Sequence, residues 1–240
     1  MRIILTILAA CALLAMATPA HATPIGGLSY NIGVAGPSFS IASGVGFVQR
    51  DVHIILDDSR VGEATSSRWF VKVDAGPIKY LDVYGLIGAA DFKISGTELG
   101  EQSYRGNLAT FYGGGIRPQL LPLGLFTSKV SLAADLQYAA FTTEDEIGGE
   151  TFQARYQEGQ VALVLTYNLK MVIPYGGLKY NPINVDITGV KNDLKGDIDA
   201  GVFIGTDYFV TPSVFFSGEL SIFSETSIFL TVGYNYPPQR

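Results

Sequence analysis

Residues 195–210 read "KGDIDAGVFIGTDYFV", a stretch too charged for a membrane helix and too apolar for an ordinary surface loop. Taken at every second residue it separates into two sets. Ile198, Ala200, Val202, Ile204 and Tyr208 share one parity, interrupted only by Thr206. Asp197, Asp199, Gly201, Gly205 and Asp207 share the other, with Phe203 among them. Successive strand side chains point to opposite faces, so the pattern predicts a β-strand with one apolar and one polar face. A single strand leaves open which face meets water.

Working outward, turn signals divide the chain into ten candidate strands, at about 44–56, 67–76, 80–92, 106–117, 128–141, 152–167, 171–181, 197–210, 213–223 and 226–236. Alternation is clean in several. In the fifth, Val130, Leu132, Ala134, Leu136 and Tyr138 oppose Lys129, Ser131, Ala133, Asp135 and Gln137. In the last, Ile228, Leu230, Val232, Tyr234 and Tyr236 oppose Ser227, Phe229, Thr231, Gly233 and Asn235. The seventh reads poorly, because Pro174 has no N–H for a ladder and demands a bulge or a shifted strand. Long polar connections (57–66, 93–105, 142–151 and 182–196) alternate with short ones ("GPIK", "LLPLGLFT", "NLKM", "TPS"). That alternation is the signature of an up-and-down barrel. The short "SE" after Phe223 breaks it, leaving ten strands with eight as the alternative.

The N-terminus fixes the compartment. Arg2, the apolar run 3–16 and Ala20-His21-Ala22 form a secretory signal peptide over 1–22, preferred to a lipid-anchored Cys11 in the box Leu8-Ala9-Ala10-Cys11. Residues 23–43 read as a lead-in, 44–236 as the barrel and 237–240 as a tail. Cys11 is the single cysteine, so the exported chain would be stabilised without disulfides. Loss of Arg2 leaves 15 basic against 22 acidic residues, a net charge of −7 with no basic cluster, which argues against a nucleic-acid partner.

No segment after the leader offers the roughly 18 uninterrupted apolar residues of a membrane helix. Yet the chain is 48% hydrophobic, with 28 Gly, 13 Tyr and 14 Phe. Export, alternation, glycine and aromatic residues together point to an all-β, antiparallel up-and-down transmembrane barrel. The apolar parity ends repeatedly in tyrosine (Tyr80, Tyr138, Tyr167, Tyr208, Tyr234 and Tyr236), as an interfacial girdle requires. The polar parity would then face inward: Lys72, Asp74, Asp82, Lys129, Asp135, Glu158, Asp199, Asp207 and Glu219, with Asp197 beside them. In a barrel this narrow, side chains fill the interior and opposite charges pair. A narrow conduit favouring cations is the alternative use of the acidic excess. A soluble β-sandwich or barrel would reverse the two faces.

"GDIDAGVFIGTDYFVTPSVFFSGELSIF" with "TSIFLTVGYNY", and the hairpin "VYGLIGAADF"/"FYGGGIRPQL", resemble the small outer-membrane barrel family of the OmpA membrane domain and OmpX. The resemblance implies a bacterial outer-membrane location, insertion by the barrel-assembly machinery, lipid and lipopolysaccharide as neighbours, and a monomer. It implies a Thr211-Pro212 turn, an inward Glu219 and a final aromatic, Tyr236. The chain departs from the family in continuing as Pro237-Pro238-Gln239-Arg240, and in having room for ten strands.

Catalytic chemistry finds little footing. Barrel enzymes need nucleophile–base or acid–base arrangements, generally with a histidine. Only His53 survives the leader, and Asp57, Asp58 and Ser59 follow it along a strand end rather than converging with it. It reads as a wall or rim residue. Glu144, Asp145, Glu146 and Glu150 read as a solvated loop, with divalent-cation binding as the alternative. Asp193, Asp197 and Asp199 lack calcium-loop spacing. The expectation is a non-enzymatic protein without metal or cofactor, in a structural, surface-interaction or weak, porin-like solute-passage role. The alternatives are a lipid-modifying or proteolytic barrel enzyme and a soluble periplasmic binding barrel.

Overall fold

A computed structural model describes residues 38–54, 60–78, 80–96, 103–120, 129–189 and 193–237. The expected signal peptide, most of the lead-in, Asp57, Asp58, Ser59 and the last three residues of the tail lie outside them. The chain is all-β and antiparallel. The described residues form twelve strands: β1 Ser38–Ile54, β2 Arg60–Ile78, β3 Leu81–Gly96, β4 Tyr104–Pro118, β5 Val130–Ile147, β6 Glu150–Tyr167, β7 Val172–Tyr180, β8 Ile183–Ile187, β9 Leu194–Gly196, β10 Ala200–Phe209, β11 Val214–Ile222 and β12 Thr226–Tyr236.

The sheet closes on itself twice. At the base, the end of the short turns, β12 pairs β1 from Phe39↔Tyr236 to Gln49↔Thr226. The ring there runs β1 to β7, then β10, β11 and β12, which is ten strands. At the opposite end, the crown, β9 takes over the same edge of β1 at Val52↔Gly196 to Ile54↔Leu194, and β8 pairs β6. The ring there is β1 to β6, β8 and β9, which is eight strands. The ten expected strands form the base ring, and β8 and β9 bring the count among the described residues to twelve, two more than expected.

The double closure follows from strand length. β10, β11 and β12 have 10, 9 and 11 residues, whereas β5 and β6 have 18 each. Long neighbours outrun the short hairpin, and an edge left unpaired must find another partner. β8 and β9 supply it.

Several expectations change here. β1 starts at Ser38 rather than near 44, since Phe39 and Ile41 continue the outward series and Ser40 and Ala42 the buried one. The acidic 142–151 stretch is no loop. β5 and β6 pair without interruption from Val130↔Tyr167 to Ile147↔Glu150 around a two-residue Gly148-Gly149 turn, whose φ values of 65° and 88° suit glycine. Glu144, Asp145, Glu146 and Glu150 are strand residues. The 182–196 connection holds β8 and β9. Pro174 needs no bulge, because the β6–β7 ladder ends at Thr166↔Tyr175, one residue before it.

The inward parity of β4 changes from Tyr104 and Gly106 to Phe111 and Arg117. Its register against β3 passes from Ala90↔Ala109 to Phe92↔Gly106, so β4 carries one extra residue there. Glycine makes room inside as expected: a Cβ on Gly46 would lie 2.0 Å from the Phe229 ring, and one on Gly205 2.3 Å from Tyr175.

Candidate functional site

Around the base, the outward side chains are apolar and the buried ones largely polar. Val45, Trp69, Ile87, Leu163, Ile204, Leu220 and Leu230 are exposed. Lys72, Asp74, Asp82, Arg117, Asp135, Gln160, Asp207 and Glu219 are buried inside. Of the expected lumen set, Glu158 is buried with them.

Lys129 and Asp199 are not. β5 begins at Val130, so Lys129 is an exposed turn residue whose carbonyl accepts the Asn168 N–H at 2.8 Å. The alternation of β5 stops one residue short of Lys129. Residues 197–199 link β9 to β10 and belong to neither. Asp199 is half-buried, accepts the Tyr180 hydroxyl at 3.4 Å, and has its pKa pushed up by burial. Asp197 is exposed, 3.4 Å from His53 Nε2. His53 thus sits at the rim.

The interior charges meet in groups that the sequence did not reveal. Low in the barrel, Arg117 donates to Asp135, which also accepts the Tyr84 hydroxyl at 2.8 Å. Lys72 Nζ stands 3.9 Å from the centre of the Tyr84 ring. Across the interior, Tyr175 donates to Glu219 at 3.2 Å. Higher up, Arg68 pairs with Glu158 and donates to Tyr156 at 3.2 Å. Its guanidinium lies 5.5–5.9 Å from the rings of Tyr156, Phe111 and Phe141.

Above Arg68 the interior turns aromatic. Phe141 stacks on Tyr156 at 4.6 Å, Phe92 packs on Tyr156 at 5.1 Å, and Tyr104 anchors itself by donating to the Thr143 carbonyl at 2.8 Å. Arg117, Tyr104, Tyr156, Phe92, Phe111 and Phe141 are all essentially without solvent contact, so the lumen is filled along much of its length.

A third group marks the height where ten strands become eight. Glu225, in the β11–β12 turn, accepts from Arg50, from Lys179 Nζ at 2.6 Å, from Asn181 Nδ2 at 3.1 Å and from Ser227 Oγ at 3.0 Å. Burial opposes its ionisation, but Lys179 and Arg50 outweigh that and hold the carboxyl well below the usual carboxylate range. Arg50 Nη1 also donates to the Asn181 carbonyl at 3.3 Å. One carboxylate therefore ties β1, β7, the β7–β8 link and β12 together. Beside it lies a cavity of about 160 Å³, lined by the buried Arg50, Ser224 and Glu225 and by the more exposed Asp51, Glu63 and Asp197.

Arg50, Arg68, Arg117, Lys179 and Glu225 were all missed as site residues. Arg68 had a readable signal, the shared parity with Lys72 and Asp74. Glu225 had none, because a turn has no alternation to follow.

The six girdle tyrosines all point outward. Tyr80, Tyr167, Tyr208, Tyr234 and Tyr236 lie at the base end, whereas Tyr138 lies mid-strand in β5, near the height of Trp69, Tyr112 and Tyr180.

The sequence matches no protein-family model and no curated protein. Among solved structures the chain is similar to the translocator domain of the autotransporter NalP from Neisseria meningitidis, at 11% identity and a TM-score of 0.45, covering 88% of this chain and 90% of that one. It is similar to an outer membrane channel from Pseudomonas putida F1 at 8% identity, TM-score 0.43, covering 90% and 99%. A third is the transport unit of the autotransporter AIDA-I from Escherichia coli, at 12% identity, TM-score 0.38, covering 94% and 95%.

Proposed function

We propose that this chain is a monomeric, non-enzymatic outer-membrane β-barrel whose lumen is closed at rest, and that it serves by holding a polar crown above the bilayer. The observation that carries the reading is the reversal of faces along the barrel axis. At the base, a ring of outward Val, Leu, Ile and aromatic side chains surrounds buried charges, an arrangement that water around the outside would disfavour. In β12 this band runs from Ile228 to Tyr236, nine residues, within the range of about 9–11 that a tilted strand needs to cross a bilayer.

Exposed tyrosines at the base end, and Trp69, Tyr112, Tyr138 and Tyr180 at the other margin, support two membrane interfaces, where amphipathic rings are favoured. The aromatic stack and the Arg68–Glu158 and Arg117–Asp135 pairs argue for a plug rather than a pore. Lipid and lipopolysaccharide are then the first neighbours, and Tyr236, at the end of β12, is the terminal aromatic for the barrel-assembly machinery.

The test is refolding of the chain without its first 22 residues into phospholipid vesicles, followed by gel mobility with and without boiling and by planar-bilayer recording. A boiling-dependent shift with no steady conductance is expected. A steady open conductance would replace the plug by solute passage. A chain that stays soluble and never inserts would reject the membrane reading.

A further inference from the structure

One row of polar side chains at the base of the lumen stays outside the bonded groups described above. Asp74 on β2, Ser40 on β1 and Asn235 on β12 are register neighbours, with Ser40 paired to both. All three face inward and are only 1–2% exposed. Neither carboxylate oxygen of Asp74 and neither polar atom of the Asn235 amide has a hydrogen-bond partner. Buried polar groups are ordinarily satisfied, and each one left empty costs free energy. The obvious partner for Asp74 is close by but turned away. Lys72, the next inward residue of β2, holds Nζ 3.9 Å from the centre of the Tyr84 ring and makes no hydrogen bond.

The row suits a small ion. Asp74 and Asn235 stand two strand spacings apart, about 10 Å between backbones, with Ser40 between them. An ion above Ser40 would meet carboxylate, hydroxyl and amide oxygens, the donor types that hard cations prefer. The next row up is closed. A Cβ on Gly233 would lie 2.3 Å from the Phe215 ring and 2.9 Å from the Ala42 Cβ, so apolar atoms roof the site. An ion entering from the base would stop beneath them. The oxygens of Asp74 and Asn235 have almost no solvent contact, which leaves no room for an organic cation or a full hydration shell. The immediate neighbours set the valence. Around Tyr84, the carboxylates of Asp74, Asp82 and Asp135 stand against Lys72 and Arg117, an excess of one negative charge. Asp207 and Glu219 keep the rest of the lower lumen negative.

We propose that this row binds one monovalent metal cation of sodium's size, taken up from the base mouth and held by Asp74 Oδ1 and Oδ2, Ser40 Oγ and Asn235 Oδ1. The ion supplies the counter-charge that Lys72 does not bring to Asp74. It also ties β2, β1 and β12 together where the first and last strands close the ring. That the ion is held rather than passed on rests on the closed lumen proposed above; the oxygen set does not.

Equilibrium dialysis with radioactive sodium measures the site directly, on the chain without its first 22 residues refolded in nonionic micelles at pH 8. Wild type is compared with Asp74→Asn, Ser40→Ala, Asn235→Leu and the distant Glu146→Gln, and unboiled gel mobility checks that each is folded. Ser40→Ala removes one ligand and no charge, so it carries the test if Asp74→Asn does not fold. Saturable binding of one sodium per chain is expected, weakened about tenfold or more by Asp74→Asn, several-fold by Ser40→Ala or Asn235→Leu, and unchanged by Glu146→Gln. The urea midpoint of wild type should be higher in sodium chloride than in tetramethylammonium chloride at equal ionic strength. The proposal is overturned if no saturable sodium binds, if the folded variants all bind it alike, if the two salts give one midpoint, or if equimolar calcium displaces the sodium. Sodium binding by a protein that conducts steadily would remove the plug and leave the site. A non-conducting protein that binds no sodium would do the reverse.

Discussion

On β1 the lower and upper halves of the barrel can be compared along one strand. Phe39, Ile41, Val45 and Phe47 point outward in the lower half, while Ser40, Ala42 and Gly44 point in. Past Gln49 the assignment changes. Gln49, Asp51 and His53 are now the outward residues, and Val48 and Val52 are buried, with Arg50 between them at the seam. β5 and β6 repeat the change, with outward Thr142, Glu144, Gln153 and Arg155 over inward Phe141, Ala154 and Tyr156. The strands keep their parity; what changes is which kind of residue occupies each face. A wall in lipid needs apolar atoms outside, whereas a wall in water needs them within. The two ends thus carry opposite patterns: the lower half has the outward apolar atoms expected of a membrane barrel, the upper half the inward apolar atoms expected of a soluble one.

The comparison fails if the crown does not depend on its apolar interior. Phe141→Ala removes a ring stacked on Tyr156 and packed with Phe111, and should destabilise the folded protein by about 3–5 kcal/mol in urea titrations. An unchanged midpoint would show that the crown is held from outside.

Next in size is the outward face. Val232→Arg, in the middle of the lower band, should cost about 2–4 kcal/mol on folding into vesicles, while Thr142→Arg in the crown should stay within about 0.5 kcal/mol. Equal costs would erase the distinction between the halves.

The boundary itself is sharpened by Glu225→Gln, which removes the charge that Arg50 and Lys179 share. A loss of about 1.5–3 kcal/mol is expected at neutral pH. The folded-state pKa of Glu225 is depressed. Its contribution is therefore complete above the ordinary value of 4.5 and is lost as pH falls from there toward the folded value. The gap between wild type and Glu225→Gln in urea midpoints should be constant from pH 8 to pH 5 and shrink below 4.5. A gap that widens on acidification would contradict the arrangement.

The smallest effect belongs to Glu146→Gln, an exposed crown residue, which should leave the midpoint within about 0.5 kcal/mol.

Much of the lower half was legible. In β5 and β12 alternation alone assigns nearly every side chain, because an apolar outer face and a polar, filled interior each take one kind of residue. The crown was hidden for the opposite reason. Its outward residues, such as Glu144 and Glu146, are those of a soluble surface, and an acidic run with two glycines reads as a loop when strands are sought by their apolar face. β8 and β9 were hidden by length: five and three residues around Pro182 and Asn184 carry too short a period. The site was the least legible part. Arg50, Lys179 and Glu225 come from three distant segments, and their meeting depends on which strand borders β1 at each height.

In the language of crystals the wall contains a dislocation. Two rows of a regular lattice, β11 and β12, stop inside it, and the lattice closes above them with a smaller circumference. Such a defect cannot be repaired locally, because adding or removing a row changes the whole ring. It can only glide along the rows, and since a one-residue slip would turn every side chain to the wrong face, it glides in steps of two. Glu225 is the pin that holds it opposite Arg50. Lengthening the β11–β12 hairpin by a residue pair in each strand, and shortening β8 and β9 to match, would move the wide zone upward while leaving both rings intact.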